Sequence, residues 1–413
     1  MEEEKLKILF VSDLVAPTGF ATVSHNIIKH NRELFDITGL GVNYRGDPHS
    51  YDFPIYPAMS GPQGNIYGID RLINILNQNT FDVVFILNDA WIISYYLDAI
   101  KQNVNTENRP LPKIVVYFPV DSQFHNKQWY KDFDIVTKAF TYTQYGVDVV
   151  KQCAPDLNIG VIPHGVDSKT FYQTYASKGE AKFKLLGKTV YDMGNPEELF
   201  FVLNANRNQP RKRLDITMEG FGLFVKDKPE TVRLYMHCGV RDSAVDVSYL
   251  SYRYGINERL IMTNLTPGIQ RISEERLNMI YNACDVGINT SMGEGWGLTN
   301  MEHAITGAPQ IVPRHSACEE IFSDCGVLME TVTNFMFDNS QTVGKLTSPE
   351  EVARCLEILY KNKSLRKELA AKAVSKFVSP KYQWADIANI WRDVFLEVCK
   401  DATTVSNEHS HNH

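Results

Sequence analysis

Two glutamates bracket the segment Glu294-Gly-Trp-Gly-Leu-Thr-Asn-Met-Glu302. Upstream, Asp285–Thr290 reads as a strand. Downstream, Leu298, Met301, Ile305 and Ala308 fall at helical spacing, Gly307 suits a left-handed cap, and Pro309 bars continuation. The segment is therefore expected as a glycine-rich loop between a strand's carboxyl end and a helix N-terminus near Leu298 or Thr299. Gly295 and Gly297 let the backbone approach a ligand closely. Unpaired N–H groups and the helix dipole favour an anion there, such as a diphosphate. Carboxylates do not bind phosphate, but they accept hydrogen bonds from hydroxyls. A ligand with phosphates in its middle and a sugar at each end satisfies both, and a nucleotide sugar has that form. Two glutamates at this spacing are usually solvated charges; the strand, loop, helix, Gly and Pro around them give the pair its weight.

A second element supplies positive charge. After a strand ending at Asn204 comes Ala205-Asn-Arg-Asn-Gln-Pro-Arg-Lys-Arg213. Loss of a nucleoside diphosphate from a sugar builds negative charge that fixed cations stabilise. Arg207 and Lys212 are selected for that role, with Asn206 as a donor-binding neighbour, whereas Arg211 and Arg213 read as solvated or structural. Asp132-Phe-Asp134 has the form of a metal-binding D-x-D. It stands where the strand Ile135–Thr141 is expected to begin, the wrong end for a site in an open α/β sheet, so these aspartates read as strand-entry residues and no metal is expected.

The elements that must position these residues alternate strand and helix. Lys7–Val11, Phe81–Leu87, Lys113–Phe118 and Ile135–Thr141 read as strands of one sheet. Leu199–Asn204, Arg233–His237, Leu260–Thr263, Val286–Asn289 and Gln310–Pro313 read as strands of a second, and the chain after Pro349 is helical. With 413 residues, 44% hydrophobic and 22% charged, the chain accommodates two domains. Boundaries are expected at 1–167 and 168–384, with a helix over 385–400 and a disordered tail over 401–413. The net charge of −7 argues against nucleic acid as a partner. The acidic N-terminus and the absence of a long apolar run give no strong membrane signal and suggest a cytoplasmic protein. Seven scattered cysteines read as reduced thiols.

Taken together, Pro163-His-Gly-Val-Asp167, the Arg207 and Lys212 loop, Glu294-Gly-Trp-Gly-Leu to Glu302, and Gly307-Ala-Pro-Gln-Ile-Val-Pro313 resemble the family-4 retaining glycosyltransferases. The resemblance is strong over about 200–330 and looser over 1–170, with a fainter likeness to glycosyltransferases of large algal DNA viruses. It implies the α/β GT-B fold: two Rossmann-like doubly wound domains facing across a cleft, the C-terminal helix crossing back to the N-terminal domain. It implies that Glu294 contacts donor-sugar hydroxyls and that Glu302 binds the ribose. Gly295, Trp296, Gly297, Leu298 and Thr299 would hold sugar and diphosphate, largely through backbone amides, with Arg207 and Lys212 on the diphosphate. Pro17-Thr-Gly-Phe20 matches an N-domain loop that approaches phosphate or acceptor, giving Gly19 a donor-side role; Thr18 stands where relatives often have another glycine. Relatives often carry a histidine after the strand matching Lys113–Phe118. This chain has Tyr117-Phe-Pro-Val-Asp-Ser122, so Asp121 takes the catalytic candidacy, and His125 reads as structural. The expected activity is retaining, metal-independent hexosyl transfer without a cofactor. The donor would be a nucleotide sugar, GDP-mannose by family frequency, and the acceptor a glycan or other hydroxyl compound. The alternatives are a non-catalytic nucleotide-sugar-binding protein and a GT-B-type epimerase.

Overall fold

A computed structural model of the protein describes residues 5–59, 64–107, 109–268 and 270–407, with side chains as far as 400. The chain divides into two compact units, one of residues 1–120, 124–165 and 384–413, the other of 121–123 and 166–383. The passage after Gly165 comes just ahead of the boundary expected at Asp167. The excursion of 121–123 into the second unit was not expected.

In the first unit the described residues form a parallel sheet of β1 (Lys7–Asp13), β2 (Asp36–Val42), β3 (Ile55–Pro57), β4 (Val83–Leu87), β5 (Lys113–Phe118), β6 (Lys138–Thr141) and β7 (Ile159–Val161), ordered β3-β2-β1-β4-β5-β6-β7. The central strands are continuous apolar runs because both faces are covered; all five residues of β4 are buried. β6 begins later than expected because Phe133–Ile135 closes a 3-10 turn. Asp132 and Asp134 lie at that turn, and Lys101 Nζ bonds them at 3.1 and 3.0 Å. The last helix, Trp384–Asn407, belongs to this unit. Its Trp391 and Phe395 set their rings against Phe85 at 4.9 and 5.7 Å, and Asn31 Nδ2 donates to the Ala388 carbonyl at 2.9 Å. The backbone of 401–407, expected as a tail, continues that helix, and 408–413 lie outside the described residues.

The second unit repeats the plan. Its parallel sheet comprises β8 (Phe200–Asn204), β9 (Val232–Met236), β10 (Leu260–Met262), β11 (Val286–Ile288), β12 (Gln310–Pro313) and β13 (Gly326–Met329), ordered β10-β9-β8-β11-β12-β13. A hairpin of β14 (Thr333–Met336) and β15 (Val343–Leu346) stands apart from the sheet. Gly220 lets helix Leu214–Phe224 lie directly on helix Pro349–Lys361, since a Cβ there would come within 2.4 Å of Val352. In both sheets the strand order reverses once, between β1 and β4 and between β8 and β11. Loops at the carboxyl ends of such a pair diverge and leave a crevice where open α/β sheets bind ligands. No helix among the described residues is long and apolar enough to cross a membrane.

Candidate functional site

The crevice of the second unit lies between the loop after β8 and the loop after β11, and these two loops carry the basic cluster and Glu294. The first is set by side-chain hydrogen bonds. Asn204, the last residue of β8, accepts from the Asn206 backbone at 3.0 Å and donates to Thr217 at 2.9 Å. Pro210–Lys212 then makes a 3-10 turn, and Arg213, at φ 47°, starts helix Leu214–Phe224. Arg213 is paired with Asp215 at 2.7 Å, a structural role in keeping with its expected one. Thr290 reaches across from the second loop to the Lys212 and Arg213 carbonyls at 3.1 and 2.9 Å, tying the two loops together.

The second loop presents Glu294, which is 4% exposed. Lys212 Nζ bonds its Oε1 and also Asn206 Oδ1, the latter at 3.0 Å. Asn289 Nδ2 and Ser291 Oγ each donate to the same carboxylate oxygen at 3.2 Å. Arg211 reaches Oε2 at 3.4 Å and the Gly293 carbonyl at 2.8 Å. Burial alone would raise the Glu294 pKa, but the charges of Lys212 and Arg211 and the hydrogen bonds hold it down to about 2. Burial, with the charge of Arg211, lowers Lys212 against the pull of Glu294. Two cations around one carboxylate leave the cluster with a net positive charge, as a diphosphate requires.

Gly307 is the left-handed cap expected of it. Gly297, at φ 94°, stands at the N-cap of helix Leu298–Ile305, and Gly307, at φ 85°, ends it. Leu298 and Thr299 are partly exposed in the first turn, where amides lack intrahelical acceptors. The Trp296 ring does not face outward; it is buried, donating Nε1–H to Met301 Sδ at 3.3 Å, so only its backbone suits a ligand. Glu302 is half-buried further along the helix and accepts from the Tyr281 hydroxyl at 2.9 Å. Burial raises its pKa to about 7, against the Tyr281 hydrogen bond and with a small push from Glu274.

Three placements differ from the sequence reading or extend it. Arg207 is exposed and paired with Asp242 at 2.8 Å, while Arg211, set aside as solvated or structural, takes the place beside Glu294. Asp121 joins the second unit: Gly293 lies so close that a Cβ on it would sit 2.2 Å from the Asp121 carbonyl oxygen, and Ser122 Oγ bonds both Asp121 Oδ1 and Thr342 Oγ1. His315 and Ser316 were missed entirely. His315 Nε2 contacts the Ser291 carbonyl at 3.2 Å and Nδ1 contacts Ser316 Oγ at 3.0 Å. A carbonyl can only accept, so Nε2 carries the proton and Nδ1 accepts from Ser316. Ser316 Oγ in turn accepts from the Glu294 N–H at 3.3 Å. This relay fixes the Glu294 backbone and holds Ser316 in the left-handed region at φ 51°. Gly19 lies in the first unit, exposed at the start of helix Gly19–Asn31; Thr18 is that helix's N-cap, accepting from Ala21 N and donating to Asp13 at 2.7 Å. His125 is bonded to the Tyr130 hydroxyl at 2.7 Å.

Residues 189–390 match a family described as family 4 glycosyltransferase in conflict systems. A search of curated proteins finds no match. Among solved structures the chain is similar to HepE of Anabaena, crystallised with UDP and glucose, at 15% identity and TM-score 0.68, over 95% of this chain and 100% of that one. It is similar to a glycosyltransferase from Rickettsia africae at 15% identity and TM-score 0.70, over 96% and 99%. Sucrose-phosphate synthase of Thermosynechococcus elongatus gives 14% identity and TM-score 0.70, over 95% and 100%. At such identities the likeness establishes the fold.

Proposed function

We propose that this chain, whose residues 189–390 match a family 4 glycosyltransferase model and whose two units have the GT-B fold, moves a sugar from a nucleotide sugar to an acceptor hydroxyl with retention of anomeric configuration. The pairing of Lys212, from the loop after β8, with Glu294, from the glycine-rich loop after β11, at the strand-order reversal of the second unit, carries this reading. The diphosphate would lie on the amides at the start of helix Leu298–Ile305, with Lys212 and Arg211 as counter-charges. Glu294 would accept donor-sugar hydroxyls, and Glu302 the ribose hydroxyls.

As the bond from the anomeric carbon to the diphosphate oxygen breaks, its electron pair passes to that oxygen. The acceptor oxygen bonds to the anomeric carbon and gives up its proton. Glu294 is a poor nucleophile, since its carboxylate is already bonded to Lys212, Asn289 and Ser291. The departing phosphate oxygen is then the base, and it draws the acceptor in on its own face of the sugar, which retains configuration. Asp121, on the segment against Gly293, is proposed to stabilise positive charge at the anomeric carbon. Cations and helix amides suffice to carry the leaving-group charge, so the reaction is proposed to need no metal.

GDP-mannose is the donor favoured by family frequency, and the crystallisation of HepE with UDP-glucose supports a UDP sugar as the other candidate. A thermal-shift panel of GDP, UDP and ADP sugars identifies the donor, and proton NMR of the product reads its anomeric configuration. A shift by one nucleotide sugar, reduced in Glu302→Ala, and an α-product from an α-donor are expected. Inversion, or no shift by any nucleotide sugar, sinks the proposal.

A further inference from the structure

The hairpin of β14 and β15 stands outside the parallel sheet of the second unit, and all four residues of β14 are exposed. Burial of a core face does not account for it. Its strand β15 instead holds two other segments of the same unit. The Val343 N–H bonds the Gln123 carbonyl at 3.0 Å and the Gln123 N–H bonds the Val343 carbonyl at 2.8 Å, an isolated antiparallel bridge. Two residues on, the Lys345 N–H bonds the Met292 carbonyl at 2.9 Å. A Cβ on Gly344 would fall 2.5 Å from that carbonyl oxygen, so only glycine lets the strand come so near. Met292 leads into Gly293 and Glu294, and its own N–H bonds the Arg211 carbonyl at 2.8 Å. One strand is thus fastened both to the segment that carries Asp121 and to the loop that carries Glu294.

A line of hydroxyls runs along this contact. Ser122 Oγ lies 3.0 Å from Asp121 Oδ1 and 2.8 Å from Thr342 Oγ1, and Thr342 Oγ1 lies 2.7 Å from Ser340 Oγ. A hydroxyl has one proton to give, and a carboxylate only accepts. Ser122 therefore donates to Asp121, Thr342 to Ser122 and Ser340 to Thr342. Ser122 and Thr342 are both buried, so water does not compete for the bond between them.

We propose that the β14–β15 hairpin is a clip that holds the Asp121 segment against the Glu294 loop, and that Thr342 is a positioning residue that aims the Asp121 carboxylate through Ser122. The inference rests on the transfer reading above, in which Asp121 meets positive charge at the anomeric carbon. That charge develops only in the transition state, so loss of aim lowers kcat and leaves donor binding as it was. A hairpin serving stability alone would lower the melting temperature without separating kcat from KM.

The test measures kinetics of the full chain with the donor found by thermal shift, and hydrogen exchange of the peptide spanning 119–126. Thr342→Val, which keeps the shape and loses the hydroxyl, should lower kcat at least about tenfold with donor KM changed less than about twofold. Thr342→Ser should recover most of that loss. In an Asp121→Ala background Thr342→Val should cost nothing further. Val343→Pro removes the N–H that bonds Gln123 without breaking a bond to β14, because both Val343 backbone groups face Gln123. It should speed exchange at Gln123 at least about tenfold, and it carries the kinetic test should Thr342→Val melt early. A folded Thr342→Val protein with wild-type kcat overturns the proposal, as does a Thr342→Ser protein equally impaired. So does an additive loss in the Asp121→Ala background, or a Gln123 amide unprotected in wild type. A wild type that protects Gln123 but turns over no nucleotide sugar sinks the transfer reading instead, and exchange in Val343→Pro then decides the clip by itself.

Discussion

Glu302 offers a quantitative test of the ribose assignment through pH. Its carboxyl is raised to about 7 by burial on helix Leu298–Ile305, with the Tyr281 hydroxyl as its hydrogen-bond partner. A carboxylate that accepts two ribose hydroxyls must be ionised, so donor binding expels a proton wherever Glu302 is protonated beforehand. With a pKa of about 7, roughly a tenth of the protein is ionised at about pH 6 and roughly nine tenths at about pH 8. Affinity for a nucleotide sugar should therefore rise about tenfold between those values. Calorimetry in two buffers of different ionisation enthalpy measures both the affinity and the proton released. The ligand must be the intact nucleotide sugar, because a terminal phosphate titrates near pH ~6 and would contribute its own proton. Glu302→Gln should bind more weakly at pH 8 and lose the pH dependence. Affinity flat from pH 6 to 8 in wild type, or an unchanged slope in Glu302→Gln, refutes the assignment. The unliganded protein should behave in the opposite sense. A carboxyl raised in the fold stabilises fully below its ordinary value near 4.5, and that contribution is lost as pH rises through about 7.

Other variants probe the parts around it. Glu294 is depressed to about 2, so its contribution to stability is present above about 4.5 and lost as pH falls through about 2. Glu294→Gln should flatten that acid loss in melting experiments and also abolish turnover; an unchanged acid limb would contradict the pairing with Lys212. Gly293→Ala must push aside the Asp121 carbonyl, because its Cβ would fall 2.2 Å away. A loss of about tenfold to a hundredfold in kcat/KM with a near-native far-UV spectrum is expected, and full activity would show that the Asp121 segment plays no part. Ser316→Ala removes the acceptor for the buried Glu294 N–H and should cost about 1–3 kcal/mol in denaturant unfolding. Ser316→Gly relieves the positive φ but still lacks the hydroxyl, so it should regain only part of the melting temperature lost in Ser316→Ala and none of the activity; recovery of both to wild-type values would leave the hydroxyl without a role.

The sequence was most legible where periodicity and punctuation agree. Helix Leu298–Ile305 begins and ends where Gly297, Gly307 and Pro309 predict, and β5 and β12 match their expected spans because each is a continuous apolar run. β2 is not evident in the sequence, since Gly39 and Gly41 dilute its pattern; the two glycines make room for the packed side chains of Leu14 and Tyr44. The hairpin β14–β15 was also missed, and all four residues of β14 are exposed, so no buried face leaves a period in the sequence. Within the site, Glu294 and Lys212 were named from spacing and chemistry. That Arg211 stands beside Glu294 while Arg207, expected on the diphosphate, pairs with Asp242 depends on the 3-10 turn at Pro210–Lys212, which brings Arg211 to the Gly293 carbonyl. The sequence shows a run of cations and not which of them the turn aims inward. His315 and Ser316 follow β12 as an ordinary polar pair, and only the fold brings them against Ser291 and Glu294.

The central claim is that Lys212, held against Glu294, carries the charge of a departing nucleoside diphosphate. It is tested most directly by following nucleoside diphosphate release from the donor found in the thermal-shift panel, at saturating donor and acceptor, for wild type and Lys212→Ala. The account predicts steady turnover by wild type and a fall in kcat of about a hundredfold or more in the variant. A folded Lys212→Ala protein that turns over at the wild-type rate would contradict it.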